Sequence, residues 1–287
     1  MRWEGREQSS NIEDRRGMAM AAGGVAAGGG LGTIVLMIIM IFLGANPKQL
    51  MEQVGQQQER SPAQRISPDK DPDGPLKEFV SVVMKDTEDV WGKLFQEQLG
   101  ARYQEPKLII FKGAVRSACG EASSAVGPFY CPGDSNVYLD FDFFRQLKDE
   151  LGAPGDFAMA YVIAHEIGHH VQNQLGLSAK VQAKQNRAGE VESNELSVRL
   201  ELQADYLAGV WAKNAQETKR ILESGDIKEA MNAASQIGDD KLTKGRVRKE
   251  KFTHGTSQQR VKWYAAGLAS GDLNGMMKLF ELDFEAL

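Results

Sequence analysis

Tyr161-Val162-Ile163-Ala164-His165-Glu166-Ile167-Gly168-His169-His170 decides how the chain is read. It contains H-E-x-x-H at His165, Glu166 and His169. Residues four apart lie one turn apart on the same helix face. Two imidazoles at that spacing can meet one tetrahedral zinc ion, with the glutamate beside it as general base. Apolar neighbours and the absence of proline from Phe157 to Leu175 predict a helix, entered through Pro154-Gly155-Asp156. His170 is about 100° round that helix from His169 and so stays out of the ligand set.

A zinc hydrolase needs a third protein ligand and one position left for solvent. Downstream, Glu201-Leu202-Gln203-Ala204-Asp205 lies in a stretch continued by Leu207, Ala208, Val210 and Trp211. Two carboxylates at the edge of so apolar a helix need a reason. Glu201 is the natural third ligand, with Glu195 a weaker rival. Asp205, one turn on, can accept a hydrogen bond from a ligand histidine's free N–H and so fix its tautomer. Of the four histidines, only His254 lies outside the helix motif, in Thr253-His254-Gly255-Thr256-Ser257. It could donate to an oxyanion. Arg260, six residues on, could bind a substrate carbonyl or pin the loop.

With these motifs, the sequence resembles the bacterial YpfJ-like neutral zinc metallopeptidases from about Leu76 to Leu282. The resemblance rests also on Ala118-Cys119-Gly120, Gly127-Pro128-Phe129-Tyr130-Cys131-Pro132 and Val137-Tyr138-Leu139-Asp140. The motif order is similar, more distantly, to that of membrane zinc endopeptidases that process prenylated proteins. The multiple spans of those enzymes are lacking, so their substrates are not carried over. The resemblance implies an α+β, mainly helical, zincin-like domain with a small sheet. It implies Zn2+ held by His165, His169 and Glu201, with Asp205 behind the ligands. It makes Glu166 and His254 catalytic and Arg260 a substrate contact.

The expected activity is hydrolysis of peptide bonds in peptide or protein substrates by a zinc-activated water with Glu166 as general base. A catalytically silent zinc-binding or interaction protein on the same scaffold is the alternative.

The chain of 287 residues carries a net charge of −5 with acids and bases interspersed, which gives no reason to expect nucleic acid. Met1 to Gly17 is polar and reads as a cytoplasmic tail. From Met18 to Gly44 no charge occurs, and about 20 apolar residues suffice to cross a bilayer. Residues 18–44 therefore read as an uncleaved transmembrane helix, and 45–75 as a flexible linker. The peptidase domain takes 76–287. Arg2, Arg6, Arg15 and Arg16 place the N-terminus in the cytoplasm by the positive-inside rule. This sets the protein in the bacterial inner membrane with its catalytic domain periplasmic or extracellular.

Within that domain, Leu76 to Leu99 reads as an amphipathic helix, and Lys107–Lys112, Ala125–Tyr130 and Asn136–Asp140 as short strands. Phe141–Leu151, Glu192–Thr218, Ile227–Ile237, Gln258–Ala269 and Leu273–Leu282 read as further helices. Val137-Tyr138-Leu139 is the candidate edge strand that aligns a peptide, with Tyr138 touching substrate. Cys119 and Cys131 are the only cysteines. A disulfide, metal binding with histidine, and unpaired buried thiols compete, and the membrane anchor favours the disulfide. Asp239 and Asp240 are turn residues or orient the site.

Overall fold

The computed structural model describes residues 1–17 and 71–287. The first helix, α1 (Gly74–Leu94), has Pro75 in its first turn, where a missing N–H costs nothing, and ends in one π turn at Phe95–Leu99. Short strands β2 (Leu108–Phe111), β5 (Phe129–Cys131) and β6 (Asn136–Asp140) follow, with the hairpin β3 (Ala114–Ser117) and β4 (Gly120–Ser123) between them. Helices α2 (Phe141–Asp149), α3 (Asp156–Gln174), α4 (Leu177–Gln185), α5 (Glu190–Lys219), α6 (Asp226–Gln236), α7 (Asp239–Leu242), α8 (Ser257–Ser270) and α9 (Lys278–Glu281) complete the chain. The expected mainly helical α+β fold with a small sheet is what the structure has.

The N-terminal residues correct the domain boundaries. Ile12–Asp14 forms β1, which pairs in parallel with β2, Ile12 opposite Leu108. Arg6 donates to both carboxylate oxygens of Asp86 at 2.9 and 2.6 Å, and Trp3 packs edge-on against Phe79. Arg16 binds Asp14, Asp71 and Asp73, so the two described stretches meet at one guanidinium. Met1–Gly17 is thus part of the folded body and not a separate tail. The expected membrane span and most of the expected linker lie outside the described residues. Among the described residues, no helix is long and apolar enough to cross a membrane.

The sheet order is β1-β2-β6-β5, with β5 antiparallel to β6 and the other neighbours parallel. This overturns the edge-strand expectation: β6, which carries Tyr138, is interior, and among the described residues β5 is the outer strand. Cys119 and Cys131 form the favoured disulfide, with an S–S distance of 2.05 Å, tying the tip of the β3–β4 hairpin to the end of β5.

Helix α3 runs through the middle of the molecule with most of its 19 residues buried. It packs against α5, where Trp211 stacks on Phe157 of α3, while Leu202, Leu207 and Val210 of α5 are buried in the same core. Each such side chain contributes about 1.5–3 kcal/mol on burial. The two helices close to near contact at Gly168, where a Cβ would meet the Ala204 carbonyl at 3.0 Å. That approach brings the fourth residue of the H-E-x-G-H turn next to α5. The α5–α8 crossing is closer still. A Cβ on Gly209 would lie 2.2 Å from the Tyr264 carbonyl, and one on Gly267 would lie 1.9 Å from that of Tyr206.

Candidate metal centre

The Gly168 contact sets Glu201 of α5 opposite the histidines of α3. The Nε2 of His165 lies 3.2 Å from one Glu201 oxygen, and that of His169 lies 3.5 Å from the other. One donor atom from each residue falls within 4.8 Å of the other two. This donor set fits a zinc ion: two imidazole nitrogens and a carboxylate, converging from two helices. A cavity of about 520 Å³ opens over them, lined also by Glu166 and His254. Glu195 does not line it.

Both histidines are oriented from behind. The Nδ1–H of His165 donates to Asp205 at 2.9 Å. Asp205 is fully buried and also accepts from Arg260 Nε at 2.8 Å and from the Tyr161 hydroxyl at 2.5 Å. Burial opposes its charge, but Arg260 and His165 overcome that and hold the carboxyl below its usual range. The Nδ1–H of His169 donates to Gln172 at 2.9 Å. Gln172 is itself fixed by the Leu200 carbonyl and by Gln203, whose amide reaches the Met276 carbonyl. In each case Nε2 is the nitrogen left for a metal.

The charges agree with that geometry. Burial lowers the affinity of His165 for a proton, yet Asp205 and Glu201 outweigh it and lift the group to about 9. His169 is raised in the same way, against burial, by Glu201. Glu201 is driven well below the carboxylate range, burial opposing and the two histidines prevailing. A cation belongs among these groups, and protons take that role when no metal is present.

His254 sits at the cavity wall with its Nδ1 3.2 Å from Asp239. Burial opposes its protonation, while Asp239 and Glu201 raise it overall. Asp239 is fully buried, and one oxygen accepts the backbone N–H groups of Thr253, His254 and Gly255. Asp240 caps α8 through Ser257, and Thr256 with Gln259 forms a capping box there. The pair left open between turn and orienting roles therefore orients the His254 loop.

The two expected substrate contacts, Arg260 and Tyr138, are both buried. Arg260 is only 2% exposed, and its guanidinium is held by Asp205, the Ile237 carbonyl and the Tyr161 hydroxyl. Its charge is answered beneath the histidines, so it supports them at the floor of the cavity. Tyr138 is 1% exposed, stacks on Phe129 at 4.8 Å between centroids and donates to Asp134. It packs in a small cluster with Ile109, Phe111, Val115 and Cys131, away from the cavity.

His170, left out of the ligand set, donates to the Gln104 carbonyl and accepts from the Tyr130 hydroxyl, fastening β5 to α3. A second acidic group, Asp156, Asp226 and Glu229, already faces a cation: the Met1 ammonium lies 2.6 Å from Asp156.

Sequence reasoning missed Gln172 and Tyr161. Gln172 left one sign, a polar residue three after His169 on the same helix face. Tyr161 left the same sign four before His165.

Comparison with known proteins follows the same line. The model of the family described as "Putative neutral zinc metallopeptidase" matches residues 1–277. The chain belongs to this neutral zinc metallopeptidase family. The chain is 47% identical to uncharacterized protein YpfJ of Escherichia coli K12 over 284 residues, 95% of this chain and 96% of the relative. It is 45% identical to uncharacterized protein Mb2605 of Mycobacterium bovis over 185 residues, 60% of this chain and 61% of that one. No solved structure matches it.

Proposed function

We propose that the protein is a zinc-dependent endopeptidase with Glu166 as general base. The observation that supports this most is the convergence of His165 Nε2, His169 Nε2 and the Glu201 carboxylate beneath an open cavity that Glu166 also lines. Zinc held by these three residues would supply Lewis acidity for a carbonyl and a lowered pKa for water. The protein's own groups do the rest. Glu166 takes the proton of the attacking water and returns it to the leaving amine. His254, held by Asp239, donates to the oxyanion.

The sheet offers a place for the peptide. Val137 sends its N–H to the Lys107 carbonyl on the β2 side, so it faces away from β5. Tyr130, opposite Val137, consequently turns its own N–H and C=O away from β6, toward the outer edge. Gly127, Pro128 and Phe129, just before it, line the cavity as Tyr130 does. An extended substrate backbone can pair there.

The test is cleavage of a mixed peptide library by the zinc-loaded full chain, with and without chelator. Glu166→Gln should keep its zinc and lose cleavage. Full activity in that variant would remove Glu166 from the mechanism.

A further inference from the structure

The walls of the cavity differ on the two sides of the metal-binding group. Val162, one turn before His165 on α3, lies in a wall completed by Phe143, Leu151, Ile237 and Leu242. Gln172, one turn after His169, lies in a wall completed by Ser178, Gln182, Gln185 and Ser197. One wall is apolar, and the other is uncharged and, apart from Leu200 beside Ser197, polar. The charged side chains of the lining are Glu166, Glu201 and Arg260, besides the histidines, and all have been given partners or tasks above. A charged substrate side chain entering here would lose its hydration with no partner in return. An apolar one would leave water at a gain.

Among the described residues, three apolar lining side chains, Val126, Leu200 and Leu242, belong to neither hydrophobic cluster. Leu242 is half-buried yet packs in neither hydrophobic cluster, and Val126 at the rim is 58% exposed. Leu242 stands on α7, two residues after Asp240, so its place is tied to the His254 loop. The core does not account for an apolar residue there, and a substrate would.

We infer that the cleft selects peptides with a bulky uncharged apolar side chain next to the scissile bond, seated against Leu242, Phe143, Leu151, Ile237 and Val162. The residue across the bond meets the Gln and Ser wall and is uncharged. This rests on the endopeptidase reading for its orientation, and binding can test it separately from turnover.

The experiment uses the zinc-loaded full chain carrying Glu166→Gln and fluorescent peptides that differ at one position: Leu, Phe, Asp or Lys. Leu and Phe peptides should bind roughly 10-fold or more tightly than Asp and Lys peptides. Adding Leu242→Arg should weaken the Leu peptide by roughly 10-fold and strengthen the Asp peptide, while Leu242→Met leaves the order unchanged. Binding equal across the four peptides, a preference for charge, or no binding overturns the inference. Apolar-selective binding by a wild-type protein that cleaves none of the peptides would overturn the hydrolytic reading and leave this one standing.

Discussion

Asp205→Asn tests the layer beneath the metal group. In the native protein the two carboxylate oxygens accept from His165, Tyr161 and two nitrogens of Arg260, all without exposure to water. An asparagine has one acceptor and one donor end. If its oxygen faces His165, its amide faces the Arg260 N–H groups; if it turns, it faces the imidazole N–H. Either way the Arg260 cation loses its anion, and breaking a buried pair from one side costs about 3–5 kcal/mol. For a body of this size, each kcal/mol lowers Tm by about 2–4 °C, so the metal-free variant should melt about 6–20 °C lower. Zinc affinity should fall by about 10–100-fold as the His165 ring loses its hold. Calorimetry of metal-free protein and zinc competition against a fluorescent chelator read the two effects separately. Adding Arg260→Gln removes the unpaired cation and should recover most of the melting temperature. A single variant that melts within 1 °C of wild type and binds zinc within about twofold would refute this account of Asp205.

Three further outcomes are expected. Asp239→Ala releases three backbone N–H groups and the His254 ring, so kcat should drop by about 10–100-fold with zinc content unchanged, while Asp240→Ala, which loses only the α8 cap, should cost less. Asp14 is desolvated, but Arg16 and Lys77 still depress it from 3.8 to about 2. Its contribution is therefore present above pH 3.8 and lost as pH falls through about 2; acid titration of Trp3 fluorescence should report β1 letting go in that window. His165 holds its proton up to about pH 9 in the metal-free protein, so zinc must displace it below that value. Zinc affinity from chelator competition should rise from pH 6.5 to 9, and a flat profile would contradict the shared site.

The motif helix, Glu201 and Asp205 were legible because a four-residue period places partners on one face before any tertiary structure is known. The disulfide was legible as one of three readings. Tyr138 was misplaced because local pattern gives a strand but not its neighbours. Strand β1 then takes the far edge beside β2 and leaves β5 as the other outer strand. That strand had no local sign either. Ile12-Glu13-Asp14 is short and charged, and its partner Leu108–Phe111 lies far along the chain. The role of Arg260 stayed open between substrate contact and loop pin for a related reason. Its partner depends on the α5–α8 crossing, which Gly209 and Gly267 permit through contacts that no spacing rule encodes.

The pairing of β1 with β2 has a consequence for compartments. Met1 and the Cys119–Cys131 bridge belong to one folded body, so they must occupy the same aqueous space. Arg16 reaches Asp71 at 2.5 Å, which joins the two described stretches in that one body. Stable disulfides belong to oxidising surroundings. The first seventeen residues and the cavity over His165, His169 and Glu201 therefore meet one redox environment.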